Sequence, residues 1–193
     1  MTARNDPSAA LTAVAGVLFD AAPDLEGRLV RLRRATPSDA RAFAEILSDP
    51  TVHARWQAAD AAQDAAELTG REDDLAVWAI EAEGVVVGII QAHEEADGRY
   101  RHAGIDIVLV EAAQGRGLGS DAVRTVATWL VRERRHHRLT IDPAADNKRA
   151  IRAYARVGFR PVGVMRQYEG DLDGTWHDGL LMDLVADELE SRE

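Results

Sequence analysis

The 193-residue chain contains no cysteine. That absence removes disulfides, thiolate nucleophiles and cysteine-ligated zinc or iron–sulfur sites together, and it fits a reducing compartment, so a cytoplasmic location is expected. No apolar stretch approaches the ~18 uninterrupted residues of a membrane-spanning helix, and the sharpest run, Ile105 to Val110, is broken by Asp106; no membrane partner is expected. Excess positive charge is missing too. The formal net charge is −10, the wrong sign for a general nucleic-acid binder, because a phosphate backbone selects bases. The histidines show no metal spacing such as H-E-x-x-H, and no metal is expected. Arg4 offset by Asp6 is a poor positive flank for a secretory signal, and neither a repeat nor a linker marks a second full domain.

What is present is a globular balance, 46% hydrophobic and 29% charged, enough apolar material for a real core. The expected organisation is an N-terminal helical arm over residues 1–27, Ala-rich from Ala9 to Phe19, followed by one domain over 28–193. Charge is segregated along the chain. Residues 58–74 sum to −5 and 166–193 to −7, whereas 114–156 sum to +6. The basic segment suits an anionic ligand and the acidic ones a cationic ligand, although solvated acidic surface explains the latter equally well.

Leu29 to Arg33 alternates like a half-buried strand, and Thr36-Pro37-Ser38-Asp39 supplies an N-cap, a proline at the first helical position and an acid two residues on. A helix follows, stopped at Asp49-Pro50. Residues 51–74 read as a second helix and a loop. Strands are expected over 75–82 and 85–93 around a Glu83-Gly84 turn, and over 103–110, apolar on both faces as a central strand should be. A Gly-rich loop then opens an amphipathic helix with Val123, Val126, Ala127, Leu130 and Val131 on one face. A strand at 138–142, a helix at 147–157 and two strands at 159–168 and 178–185 complete an α/β mixture around one sheet. His136-His137 reads as compensation of the preceding helix dipole.

Two features carry chemistry on their own terms. Gln114-Gly115-Arg116-Gly117-Leu118-Gly119, between a buried strand and a helix, can turn backbone N–H groups toward one point beside the positive end of a helix dipole, which makes an anion cradle. It is neither a P-loop, for no Gly-Lys-Ser/Thr follows, nor a dinucleotide fingerprint, whose glycines are spaced differently. Asp106 is a carboxylate in an otherwise apolar strand. Desolvated and unpaired it would cost several kcal/mol, so it either faces a polar cleft or meets a cation, an arginine ion pair being the alternative. Asp142 at a strand end has the same two readings.

Gln114-x-x-Gly117-x-Gly119 resembles the acetyl-CoA pyrophosphate loop of the GNAT N-acetyltransferase superfamily. The resemblance continues through Asp142-Pro143, Asn147 to Tyr154 and Gly158-Phe159, covering residues 104–160. Gly104-Ile105-Asp106 and Asp142-Pro143 are most like the aminoglycoside 6'-N-acetyltransferases. Trp176-His177-Asp178-Gly179 with Met182 is similar also to the acetyltransferases of ribosomal-protein N-termini and siderophore amines. The resemblance implies a GNAT fold: a mixed, mostly antiparallel sheet of six or seven strands, helices on both faces, splayed near Asp142. It implies acetyl-CoA as co-substrate, held by Val108, Val110, Gln114, Gly115, Arg116, Gly117, Leu118, Gly119, Ser120, Asn147 and Ala150. It implies a cationic amine partner contacted by Trp56, Gln91, Asp106, Asp142 and Asp173, and a homodimer. Tyr154 takes the general-acid position, although on residues alone it shares a helix face with Ile151 and reads as core packing. Asn147 is by itself an N-cap. An aminoglycoside is the expected substrate; a peptide N-terminus or siderophore-type amine is the alternative enzyme reading, and a silent acetyl-CoA-binding module the alternative outside catalysis.

Overall fold

The computed structural model describes residues 22–56, 59–70, 75–95, 97, 99–171 and 173–190. Residues 1–21 of the expected arm lie outside the described residues. Residues 22–27, expected within that arm, instead enter the sheet: β1 (Leu25–Glu26) pairs with β2 (Arg31–Arg34), and Ala22 is buried in the core.

The remaining strands are β3 (Leu75–Ala82), β4 (Val85–Glu95), β5 (His102–Leu109), β6 (Arg138–Ile141), β7 (Arg160–Gly170) and β8 (Trp176–Val185). They form one eight-stranded sheet in the order β1-β2-β3-β4-β5-β6-β8-β7. The expected six or seven strands become eight because β1, at two residues, is too short to show a periodicity. Every pairing is antiparallel except β5 with β6. The β3–β4 hairpin closes through Glu83 and Gly84, both at positive φ (54° and 78°), which matches the twist of the flanking strands.

Helices cover both faces. On one, α4 (Leu118–Arg132) and α5 (Lys148–Val157) pack Val123, Val126, Leu130 and Val157 against Trp78, Ile90 and Ile105. On the other, α1 (Ala40–Leu47), α2 (Pro50–Trp56) and α3 (Ala61–Gly70) pack Phe43, Leu47, Val52 and Ala65 against Val77, Ile89 and Val108. Residues 50–70 thus hold two short helices where one helix and a loop were expected. A last helix, α6 (Ala186–Glu190), follows β8 directly. Pro37–Asp39 forms a 3-10 turn leading into α1, and Asp39 is buried there by a two-point bond to Arg33 (2.7 and 3.0 Å). His136 is not helix-dipole compensation: it is 1% exposed and its Nε2 meets Glu94 at 2.8 Å.

The feature that positions the site is the parallel pair. β5 and β6 share only Ala103↔Leu139 and Gly104↔Thr140, then diverge. Beyond Gly104 the edge of β5 that faces β6 is unpaired, and beyond Ile141 the chain turns through Asp142-Pro143 to bridge Ala144 with Gly179 of β8. A wedge opens between two central strands. Its backbone N–H and C=O groups require partners from a ligand or water, since unpaired buried groups cost about as much as lost hydrogen bonds.

Candidate active site

At the open end of the wedge lies a cavity of about 540 Å³, walled by β5 (Ile107 to Leu109), the Gly-rich loop, α2 and α5. Gly115 and Gly117 have φ of 78° and 87°, values that L side chains rarely adopt, and Gly117 is the residue immediately before α4. Among the described residues, no acceptor meets the backbone N–H groups of Gly115 to Ser120, the first being that of Asp121, which bonds Gly117. A run of unsatisfied donors at the start of a 15-residue helix is a phosphate-binding geometry. Gln114 braces the loop: its Nε2 donates to the Leu109 carbonyl (2.7 Å), and its Oε1 accepts from Arg149.

Val108, Gln114, Gly115, Gly117, Gly119, Ser120, Asn147 and Ala150 all line this cavity. Three of the residues expected at the cofactor, Val110, Arg116 and Leu118, do not line the cavity. Leu118 is buried in the core, and Val110 packs against both core clusters while its N–H donates to Val87 (3.0 Å). Arg116 instead pairs with Glu83 at 2.7 Å. The cationic wall comes from Arg55, which lies outside the basic segment, and from Arg149 and Arg156, which that segment contained without indicating which residues would face inward. Asn147 caps α5, its Oδ1 accepting from the Ala150 N–H (3.1 Å), so its side-chain NH2 is what remains for a ligand.

A second cavity, about 280 Å³, adjoins the first and shares Arg55, Ile107, Val108, Asn147 and Tyr154 with it. It is acidic. Asp106 from β5, Asp142 after β6 and Glu169 from β7 line it, with Trp56 and Tyr168. The arginine alternative for Asp106 is not what the structure contains: its Oδ2 accepts from Gln91 Nε2 (3.0 Å) and stands 3.7 Å from His93 Nδ1. Burial, and then the Asp106 charge, push the Asp142 carboxyl above its ordinary range, against an opposing hydrogen bond from Tyr168. The Tyr168 phenol is pushed up to about 12, chiefly by that bond to Asp142. Burial raises Glu169, aided by Asp171 and Asp142. Three carboxyl groups gathered in one cavity, with Asp142 and Glu169 made harder to ionise by burial and by their acidic neighbours, form a site suited to a polycation.

Tyr154 stands between the cavities. Its ring packs edge-on against Phe159, with centroids 6.5 Å apart, so core packing and cavity lining are both true of it. Burial first, then Asp106 and Asp142, hold its phenol well above the usual tyrosine range. Asp173 is not part of this gathering: it sits in the β7–β8 turn, its carboxylate accepting from Thr175 N (2.9 Å) and Oγ1 (2.7 Å). His93, Tyr168 and Glu169 were not singled out by sequence. The alternation Gln91-x-His93, polar residues at the end of an apolar strand, was the available signal for the first.

A sheet splayed at its one parallel pair, with an N–H cradle on one side and carboxylates on the other, defines an acyl-CoA-dependent N-acyltransferase class of architecture. The chain belongs to the GNAT acetyltransferase domain family, whose model matches residues 29–160 and whose members are acetyl-CoA-dependent N-acetyltransferases. The chain is 37% identical over 78 residues to aminoglycoside N(6')-acetyltransferase type 1 of Klebsiella pneumoniae. That match covers 40% of this chain and 38% of the relative, so it spans less than half of the relative's length. Among solved structures, aminoglycoside acetyltransferase AAC(6')-Ib in complex with ribostamycin and coenzyme A superposes with a TM-score of 0.67 at 22% identity, covering 84% of this chain and 96% of that one. RimJ of Mycobacterium smegmatis in complex with CoA-disulfide gives 0.68 at 22% identity, covering 86% and 87%. Among the described residues, no helix is long and apolar enough to cross a membrane, and no three or more His, Asp or Glu side chains are grouped so as to hold a metal ion.

Proposed function

We propose that the chain transfers the acetyl group of acetyl-CoA to a primary amine of a polycationic small molecule of the aminoglycoside type, at its 6'-amine. The observation that carries this reading is the contiguity of the two cavities through Tyr154. One is lined by an N–H cradle and arginines, the other by Asp106, Asp142 and Glu169. The partial match to an aminoglycoside N(6')-acetyltransferase supports the choice of amine.

The residues fit acetyl-CoA. The cradle and Arg149 suit the pyrophosphate, and the unpaired edge of β5 suits the amides of an extended pantetheine arm. That arm, laid along the wedge, brings the thioester toward Tyr154. A protonated polyamine entering the acidic cavity is bound by charge, and it must lose one proton to become a nucleophile. Asp106 accepts that proton, directly or through water. The neutral nitrogen then attacks the thioester carbonyl carbon, the C–S bond breaks, the departing thiolate takes a proton from the Tyr154 hydroxyl, and the second proton that the acylated nitrogen sheds on becoming a neutral amide restores that hydroxyl through water. No covalent acyl-enzyme is needed, in keeping with a chain that lacks cysteine.

The test is thiol release from acetyl-CoA with a panel of aminoglycosides, a peptide with a free N-terminus and a catechol-type siderophore amine, with the product mapped by NMR. Acetylation at the 6'-amine of ribostamycin is the expected result. Binding of acetyl-CoA by calorimetry with no thiol release from any cationic amine would reduce the protein to a silent cofactor binder; turnover confined to the peptide would reassign the substrate.

A further inference from the structure

The ladder between β4 and β5 places Gln91 opposite Asp106 and His93 opposite Gly104, on the same sheet face. A Cβ on Gly104 would overlap the His93 ring, so the absence of a side chain there is what lets the imidazole lie across β5 toward Asp106. Both Gln91 and His93 approach Oδ2 of Asp106, leaving Oδ1 for the cavity. The His93 side chain does not line that cavity and is half exposed (50%), whereas Asp106 is only 32% exposed. The order from the cavity outward is therefore Asp106, His93, solvent.

We infer that His93 and Asp106 form a proton relay out of the amine site. This rests on the amine acetylation proposed above. The substrate N–H bond breaks as an O–H bond forms on Asp106. That proton passes to the neutral His93 Nδ1, regenerating the carboxylate, and the imidazolium releases a proton to water. At 3.7 Å the two groups are an ion-pair contact rather than a hydrogen bond, within reach of a small ring rotation or one bridging water. His93 acts through Asp106 and is a positioning residue. The charged groups that face it are Asp106 from β5 and Asp142 from the end of β6, the latter bound by Tyr168 of β7. Asp106 chiefly, and Asp142 in addition, raise the imidazole above its ordinary value against the effect of partial burial. The relay needs the neutral ring, so turnover rises as pH passes upward through that raised value.

The experiment measures the pH dependence of kcat and KM with ribostamycin for wild type and His93→Gln, together with an NMR titration of the His93 ring in wild type and Asp106→Asn. His93→Gln is expected to lose about tenfold in kcat near neutral pH, less than the full effect of a general base because Asp106 remains. It should also lose the ascending limb set by the imidazole, with KM for the amine and the Kd of acetyl-CoA unchanged. The His93 ring should titrate above about 6.5 in wild type and fall back toward that value in Asp106→Asn. Turnover with a His93→Gln profile superimposable on wild type overturns the relay alone, as does a ring that titrates identically in both proteins. Absence of turnover with every amine, acetyl-CoA binding being intact, overturns the proposed function and the relay together.

Discussion

Tyr154→Phe removes one oxygen from the junction of the two cavities and little else. The ring is 9% exposed and held against Phe159, so a phenylalanine keeps the packing. No described residue hydrogen-bonds its hydroxyl, so the substitution orphans no buried partner, and stability should stay within about 0.5 kcal/mol of wild type. The kinetic magnitude follows from acidity. A thiolate whose conjugate acid has a pKa near 8.5 is a weaker base than phenolate at about 10, and burial beside Asp106 and Asp142 raises this phenol further. Transfer from Tyr154 to sulfur is therefore uphill by at least about 2 kcal/mol once the thiolate is fully formed. Only a transfer concerted with C–S cleavage helps, and the benefit falls at the lower end of general acid catalysis, about 10²-fold or 2.7 kcal/mol. The sign of the pH effect is fixed as well: a phenol with a raised pKa stays protonated, so it imposes no loss of rate on the alkaline side below pH ~10. The assay is single-turnover acetylation, in which chemistry is isolated from product release, with acetyl-CoA affinity measured separately. Wild-type rates in Tyr154→Phe, or a descending limb well below pH ~10 that vanishes in the variant, would refute the general-acid role.

Asp106→Asn keeps the shape, and its partners Gln91 and His93 are not a buried cation left uncompensated. It should therefore cost about 10²-fold or more in turnover with little change in melting temperature; a lowered melting temperature with full turnover per folded molecule would assign Asp106 to structure instead. Asp142→Asn should raise KM for the amine by about tenfold while sparing acetyl-CoA affinity, because Asp142 lines the amine cavity and not the cradle cavity. Gly119→Ala sets a Cβ 3.2 Å from Leu109 Cδ1 on the cradle wall and should weaken acetyl-CoA at least about tenfold by calorimetry with the fold retained. It is a cleaner probe than Gly117→Val, which the φ of 87° would strain whatever the ligand does. The Arg33 guanidinium holds Asp39 below the usual carboxylate range, so that pair stabilises the fold above the ordinary carboxylate pKa and is lost as pH falls through the depressed value. Asp39→Asn should lower the melting temperature near neutral pH and flatten its acid decline.

Local patterns make the cradle cavity readable, and long-range register hides much of the acidic one. Gly115 and Gly117 announce positive φ by being glycines, and the loop, the helix start and the strand before it are contiguous in the chain, so the cradle follows from about fifteen adjacent residues. Asp106 was conspicuous because one charge in Ile105 to Val110 is costly wherever the strand lies. What surrounds it depends on pairings over 11 to 15 residues within the β4–β5 hairpin, and on β7, whose Tyr168 and Glu169 come from more than sixty residues away. No periodicity encodes that distance. A one-residue slip of β4 against β5 would turn Gln91 and His93 toward the α4–α5 face and send Ile90 and Ala92 to the opposite one. The apolar alternation that seats Ile90 and Ala92 among Trp78, Ile105 and Leu130 is thus the same constraint that delivers His93 to Gly104 and Gln91 to Asp106. Arg116 shows the converse: the side chain of a residue inside the sharpest motif pairs with Glu83 of a hairpin turn thirty-three positions earlier and does not line the cavity. Motif membership specifies the backbone of this loop, where ligand and glycine chemistry coincide, whereas each side chain in it is free to be claimed by whichever partner the tertiary fold brings nearest.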